Sequence, residues 1–359
     1  MPVTPDNVGM TDRLTEYRRK RDPARTPEPV PRQAPEAGSG DTFVVQQHHA
    51  RSLHWDLRLE HDGVLVSWAI PRGLPRDPAR NHLAVHTEDH PMEYADFAGQ
   101  IPTGEYGAGR MAIHDRGTYE TEKWRDDEVI VVLGGERSAG RYVLFRTRGD
   151  DWMIHRMDGP PSGWTPMPED VRPMTASRAA RLPTYDERWG YELDWPGVRA
   201  LAAVSGGRLV LTLDEQDITS GYPELRPMGE ALAPTECLLD GVVAAFTLDG
   251  KVQPPREPGA DPAQARKLAT RTPVQYLATD LLWLDGVSTV DGTYSVRREL
   301  LDGLGLAGAN WLVPPYFTGG GAYALAAARE QGVRGVLAKR LTSTYRPARR
   351  TRDWLRISA

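Results

Sequence analysis

From His54 onward the stretch His-Trp-Asp-Leu-Arg-Leu-Glu alternates polar and apolar residues without a break as far as Glu60. A period of two marks a half-buried β-strand. Successive strand side chains point to opposite faces, so His54, Asp56, Arg58 and Glu60 share one side while Trp55, Leu57 and Leu59 share the other. This part of the chain is therefore committed to a sheet with one apolar face. Its other face offers an imidazole, a carboxylate and a guanidinium in sequence, which can hold a metal and a phosphate together.

The surroundings extend that reading. Between Asp41 and Asp158 short β-type runs alternate with turn signals: Phe43–Gln47, Leu53–Glu60, Leu65–Pro71, Leu83–Thr87, Met111–Asp115, Val129–Leu133 and Tyr142–Thr147. This spacing predicts an antiparallel sheet closed or curled into a barrel. Residues 1–40 read as a short helix around Thr11–Arg21 followed by a flexible arm rich in Pro, Ala and Gly. The basic run Tyr17-Arg18-Arg19-Lys20-Arg21 reads as a solvated helix end. Residues 159–183, with their Pro and Met content, read as a linker. A second domain over 184–359 mixes strands (Leu209–Leu213, Leu238–Phe246) with a helical pattern at Ala322–Gln331, and Lys251–Thr272 reads as a surface excursion. The expected fold class is α+β in two domains, each able to bury its own core within 359 residues.

Composition narrows the function. Cys237 is the only cysteine, so disulfides and cysteine-based zinc sites are excluded, and its apolar neighbours make it a core residue. A formal net charge of -5 argues against a protein that coats polyanions, leaving a local basic groove as the route to nucleic acid. Met1–Gly9 has no basic end followed by an apolar run, and no stretch approaches the roughly 20 apolar residues of a membrane span. A cytoplasmic protein without membrane association is expected.

All nine histidines fall between His48 and His155. Two imidazoles and a carboxylate from His48, His54 and Asp56 would leave coordination positions open, which suits catalytic Mn²⁺, Zn²⁺ or Fe²⁺. The spacing alone is weak evidence and fits polar surface histidines better than a metal site. Arg58, one strand repeat past Asp56, adds a planar cation that can cradle phosphate oxygens. A second cluster, Thr87 to Tyr94, supplies His90, whose ordinary pKa near ~6.5 would let it donate to a phosphate or protonate a leaving alkoxide.

Several motifs occur in order: Phe43-Val44-Val45-Gln46, His48, Leu53 to Glu60, Ser67-Trp68-Ala69-Ile70-Pro71-Arg72-Gly73, Glu88-Asp89-His90-Pro91, Tyr94-Ala95-Asp96-Phe97 and Ile101 to Gly109. Together they resemble the 3′-phosphoesterase module of bacterial end-joining DNA ligase D. Tyr17 to Asp22 and Thr26 to Pro29 resemble that module's leading arm. The resemblance implies a manganese-dependent enzyme acting on primer–template 3′ ends, which removes a terminal ribonucleoside and then the remaining 3′-phosphate. It implies His48, His54 and Asp56 as metal ligands and Arg58 and His90 as holders of the scissile phosphate, with Arg72 and His82 also facing phosphate. Glu88 and Tyr94 would shape the site, and Asp22 and Glu28 would support the ribonucleoside step. At His82 the family usually carries an arginine. A neutral imidazole binds phosphate less tightly, so activity is expected to be retained but weakened, or shifted towards lower pH.

The second half carries Glu192 to Ala200, Asp217 to Leu225, Leu239 to Ala244, Asp280 to Gly286, Arg334 to Arg340, Ser343 to Pro347 and Arg352 to Ile357. These resemble, in order, the motifs of ATP-dependent DNA ligases. Such enzymes attack ATP with a lysine amine. Asp194 stands where that lysine belongs and Pro196 replaces the acidic residue two further on. Val242 and Arg334 replace the metal-binding glutamates, and Arg356 and Ser358 replace late lysines, although Lys339 remains. The resemblance therefore implies a degenerate, non-ligating domain with no ATP requirement. With the chain ending at Ala359, no OB-fold is expected. Ku and a separate polymerase or ligase are partners implied by the resemblance alone. Two other readings compete: a non-catalytic DNA-binding scaffold of a repair complex, and a nucleotidyltransferase that uses Lys339.

Overall fold

The computed structural model describes residues 12–33, 38–247, 250–259 and 261–359. It divides into two compact units, Met1–Pro161 and Ser162–Ala359.

The first unit is built from ten strands: β1 (Thr42–His49), β2 (Leu53–His61), β3 (Val64–Ile70), β4 (His82–His86), β5 (His90–Pro91), β6 (Gly99–Ile101), β7 (Gly109–Arg125), β8 (Glu128–Gly135), β9 (Gly140–Arg148) and β10 (Asp151–Arg156). Eight of them run in the order β1-β2-β3-β4-β10-β9-β8-β7, and β7 pairs back onto β1 to close an antiparallel barrel. All seven expected runs form strands. β10 was not foreseen, because its alternation is only six residues long and half of it is polar or charged. β7 is far longer than its apolar signature, since most of its residues alternate between partial and full exposure.

The apolar face of β2 forms the barrel interior. Trp55, Leu57 and Leu59 are buried with Phe43 and Val45 of β1 and Val66 and Trp68 of β3. Trp68 meets Trp152 of β10, two strands away, edge-on at 5.7 Å, and both are buried. Burying each such side chain contributes roughly 1.5–3 kcal/mol.

The polar face is not half-exposed as the alternation predicted: Asp56, Arg58 and Glu60 are buried as well. What covers it is the leading segment, read as a short helix followed by a flexible arm. A helical turn over Thr15–Arg19 buries Tyr17 completely, and the Tyr17 hydroxyl donates to the Pro29 carbonyl at 2.7 Å. Arg18 Nε donates to the Pro31 carbonyl at 2.7 Å, and Arg21 is buried. The basic run is therefore a docked surface rather than a solvated helix end. The expectations for residues 1–11 and 34–37 lie outside the described residues.

The second unit contains a five-stranded sheet and an eight-stranded sheet centred on Cys237–Phe246 and Val274–Leu284. Cys237 is buried in its core. The expected strands and the helix at Gly321–Glu330 are present. Within Lys251–Thr272 the Asp261 side chain accepts from the Ala263 and Gln264 amides and starts a helix over Pro262–Ala269. Among the described residues no helix is long and apolar enough to cross a membrane.

The linker expected over 159–183 is corrected by the structure from Ser162 onward, where the chain already belongs to the second unit. Met174 is fully buried in a cluster with Leu201, Trp283 and Trp354. Thr175–Arg178 pairs in parallel with Arg350–Ser358, and Trp283 Nε1 donates to the Thr165 carbonyl at 3.0 Å. Scattered Pro and Met there mark an irregular path over a sheet, not freedom from it. Met174→Ala is expected to lower the stability of the second unit by about 2–5 kcal/mol, read as a fall in its denaturation midpoint. An unchanged midpoint would restore the linker reading.

Candidate metal and phosphate site

Strand register assembles the site. On β1 and β2 His48 lies opposite His54, and Gln46 opposite Asp56. On β2 and β3 Arg58 lies opposite Ser67. Paired residues share a face, so the alternating polar set of β2 meets polar partners on both neighbouring strands.

His48, His54 and Asp56 bring one ligand atom each within 4.8 Å of the others. His48 Nδ1 and His54 Nε2 each stand 3.7 Å from an Asp56 carboxylate oxygen. Each imidazole donates its other N–H to a backbone carbonyl: His48 Nε2 to Gly107 at 2.9 Å, and His54 Nδ1 to Ser52 at 3.0 Å. Those bonds fix both tautomers with their lone pairs turned to Asp56, the arrangement found behind metal-ligating histidines. At metal–ligand lengths of about 2.1 Å neighbouring ligand atoms sit about 3.0–3.5 Å apart, so a slight contraction would seat a divalent ion. The three residues fit such a group. Burial pushes the His48 pKa down, outweighing the pull of Asp56 in the other direction, which favours the neutral, ligating form.

Arg58 is buried and fully engaged on one side. Nε donates to Gln46 Oε1 at 2.7 Å, one terminal nitrogen to Ser67 Oγ at 2.9 Å and the other to Asp56 at 3.0 Å. Its guanidinium carbon lies 4.7 Å from the Tyr94 ring centroid. Three of its five N–H groups are thus spent on orientation.

His90 is buried beside it. Nδ1 donates to the Glu88 carbonyl at 2.8 Å, while Nε2 accepts from Arg21 at 3.4 Å. Desolvation, reinforced by the Arg58 and Arg21 charges, drives its pKa well below the usual imidazole value. The sequence-based expectation of an ordinary pKa is therefore corrected. His90 is neutral at pH 7 and its open nitrogen is an acceptor.

The arm supplies the rest. Glu28 accepts from Arg21 Nε at 2.8 Å, the Thr26 hydroxyl at 2.6 Å and the Tyr94 hydroxyl at 3.0 Å. Glu88 accepts from Arg21 at 3.0 Å and Lys20 at 3.2 Å. Burial works to raise the Glu88 pKa, but the Arg21 hydrogen bond and the two cations outweigh it and hold the carboxyl below its usual range. Burial and the Arg58 charge act in opposite directions on the Tyr94 phenol, and burial wins, raising its pKa.

His48, His54, Asp56, Arg58, Glu28, Glu88, His90 and Tyr94 are thus joined by hydrogen bonds, ion pairs and ring contacts into one network. Asp22 is not part of it: it is exposed and its carboxylate accepts from the Ala24 amide at 3.0 Å. Arg72 is exposed in the turn after β3, and the His82 ring bonds the Gly73 carbonyl at 2.7 Å. Sequence reasoning missed Gln46, Ser67 and Arg21 as members. The first two were legible as register partners of Asp56 and Arg58, whereas nothing in the basic run singled out Arg21.

In the second unit Lys339 is buried. Its ammonium lies 2.9 Å from a Glu192 oxygen, 3.0 Å from the Thr279 carbonyl and 4.3 Å from the Trp354 ring centroid. Asp194, also buried, has Oδ2 2.9 Å from Arg356 Nε, though without hydrogen-bond alignment. Burial raises its pKa against the opposing charges of Arg356 and Arg334. Val242 lies on the Cys237–Phe246 strand next to Gly241.

Residues 46–146 match the family described as the DNA Ligase D 3′-phosphoesterase domain, and residues 173–357 match the ATP dependent DNA ligase domain. The chain belongs to the ligase D family. It is 44% identical over 352 residues to the multifunctional non-homologous end joining protein LigD of Mycobacterium bovis, covering 97% of this chain and 45% of that one. The Pseudomonas aeruginosa protein of the same name is 32% identical over 96% of this chain and 47% of its own. The chain thus spans about half the length of the curated relatives it matches. A solved mycobacterial DNA ligase D complexed with ATP and MES is 32% identical at a TM-score of 0.45, covering 53% of this chain and 60% of that one. The phosphoesterase match contains every ligand candidate and Arg58, Glu88, His90 and Tyr94, while Arg21 and Glu28 fall outside it.

The depressed His90 pKa has a consequence for the stability of the first unit. A histidine whose folded pKa is lowered contributes stability that is present above its unfolded pKa, about 6.5, and lost as pH falls through its folded value. The first unit is expected to lose stability as pH drops below about 6.5, and His90→Asn to lose it less steeply. Identical pH slopes for the two proteins would refute the buried neutral imidazole.

Proposed function

We propose that the first unit is a manganese-dependent 3′-phosphoesterase acting on DNA ends, which removes a terminal ribonucleoside and then the 3′-phosphate during end joining. The observation that carries this reading is the trio His48, His54 and Asp56, with tautomers fixed towards one point and Arg58 bonded to the same aspartate. His48, His54 and Asp56 would hold the ion, which supplies charge stabilisation at the phosphate and a more acidic bound water. Arg58 directs its uncommitted N–H groups to phosphate oxygens, pinned in place by Gln46, Ser67 and Asp56. His90 is neutral at pH 7 with Nε2 accepting from Arg21, so it has no proton at that nitrogen to supply and instead helps hold the Arg21 guanidinium at the site. Arg21, Glu28 and Glu88 hold the covering arm against that histidine. Ku and a separate polymerase or ligase belong to the same proposal, supported by the end-joining names of the relatives.

We infer further that the ligase-like domain does not ligate. Asp194 stands where the attacking amine belongs, and an anion there repels a triphosphate. Lys339, the remaining motif lysine, is buried with its charge met by Glu192 and its third contact a backbone carbonyl, which leaves it no approach to ATP.

Incubation with Mn²⁺ and a primer–template ending in a 3′-phosphate or a single ribonucleotide is expected to give product, and His54→Ala or Asp56→Ala to reduce it at least a hundredfold, about 2.7 kcal/mol. No product with any divalent metal would favour a DNA-binding scaffold instead. With labelled ATP the chain is expected to remain unlabelled, and a covalent adduct would overturn the non-ligating reading.

A further inference from the structure

We propose that Arg51 and Arg110 form a basic lip at the metal end of the barrel, gripping phosphates of the DNA strand that leads to the reacting 3′ end. This deepens the phosphoesterase reading and rests on it for the identity of the strand.

Backbone geometry places the two arginines together. Arg51 sits in the turn joining β1 to β2, between His48 and His54, which are themselves register partners. Arg110 is the second residue of β7 and lies directly opposite His49. The strand before it can start so close only because residue 109 is glycine. At its φ of 149°, a Cβ there would lie 2.3 Å from the His49 carbonyl oxygen and 2.9 Å from the Ala50 Cα. β7 thus begins flush against the hairpin that carries Arg51.

Their position sets them apart. Arg13, Arg116 and Arg141 find carboxylates in Asp89, Asp96 and Glu122, while the exposed side chains of Arg72, Arg125, Arg137 and Arg148 are unpaired among the described residues but lie at turns other than β1–β2. Arg51 and Arg110 are exposed, and neither side chain makes a hydrogen bond or ion pair with any described residue. The carboxylates closest along the chain are already engaged, Asp56 by Arg58 and Glu105 by Arg25. In a chain of net charge -5, two uncompensated guanidiniums beside a metal-ligand trio concentrate positive potential where a polyanion would enter.

Alternation says which phosphates they meet. Arg110 pairs with His49 and so lies on the ladder face opposite His48. The lip therefore flanks the site instead of lining it, and reaches phosphates beyond the terminal one. Strand affinity should depend on it and the chemical step should not.

The test uses the full chain and a fluorescent primer–template ending in a 3′-phosphate, with binding measured by anisotropy in EDTA and turnover in Mn²⁺. Arg51→Ala combined with Arg110→Ala is expected to weaken binding and raise KM about tenfold, to keep kcat within about twofold, and to flatten the slope of log affinity against log salt by about two. The control pair Arg125→Ala with Arg148→Ala, at hairpin ends elsewhere on the barrel, is expected to change neither quantity. Unchanged binding in the lip variant, or equal weakening in the control, would overturn the lip. Wild-type protein that binds without turnover under any divalent metal would sink the phosphoesterase reading alone, because binding is read without metal.

Discussion

A guanidinium sealed inside a protein is tolerated only when its N–H groups find acceptors, because desolvating the charge costs several kcal/mol. Arg58 meets that demand with three neighbours drawn from three strands: Gln46 of β1, Asp56 of β2 and Ser67 of β3. Much else follows from this one requirement. A one-residue slip of β1 or β3 would turn Gln46 or Ser67 to the other face and strand the charge, so the cation enforces the register that also brings His48 across from His54. The bond to Asp56 fixes a carboxylate oxygen beside both imidazoles. The His48, His54 and Asp56 trio and the buried Arg58 cation are consequences of one hydrogen-bonded lattice.

Sealing the site also explains the arm. Burying Arg58 requires a cover, and the cover brings a second cation, Arg21, which must be satisfied in turn. Glu28 and Glu88 do so, and Tyr94 ties Glu28 back to the ring that lies against Arg58. His90 ends up between two guanidiniums, and this placement, together with complete burial, holds it neutral. A protonated imidazole there would add a third positive charge to a site with little water to screen it. The acceptor character of His90 is thus a property of the arm as much as of the barrel.

What the sequence disclosed and what it hid divide along the range of the interaction. Strand alternation is local, so the polar face of β2 and its His54-Asp56-Arg58 order were legible at once. The barrel was legible from turn spacing, because hairpins are local too. Coverage of the polar face was not: Tyr17 and Arg21 contact residues about seventy positions away, and a basic run carries no mark that distinguishes a docked surface from a solvated one. The same holds for Met174, whose burial depends on Trp283 and Trp354 far along the chain. Asp22 shows the converse. Its motif was recognisable, but its carboxylate serves the local Ala24 turn and stays in solvent.

The second unit handles buried charge by mutual cancellation. Asp280 takes two bonds from Arg297, at 2.7 and 3.0 Å, Asp240 is held by Arg199 and Tyr345, and Glu192 by Lys339 and Arg298. Each anion already has its cation, so these groups need no bound ligand for neutrality. Asp194 is the exception. Its Arg356 contact is close but misaligned, Arg356 is half in solvent, and desolvation dominates its titration. A carboxylate held this loosely is poorly described as a structural anchor, yet it fills the position from which an amine would attack. The same strand arrangement can then persist through the network of Asp240, Asp280 and Glu192 whatever residue stands at 194. That independence is the physical reason the fold of this unit does not depend on which residue stands at 194.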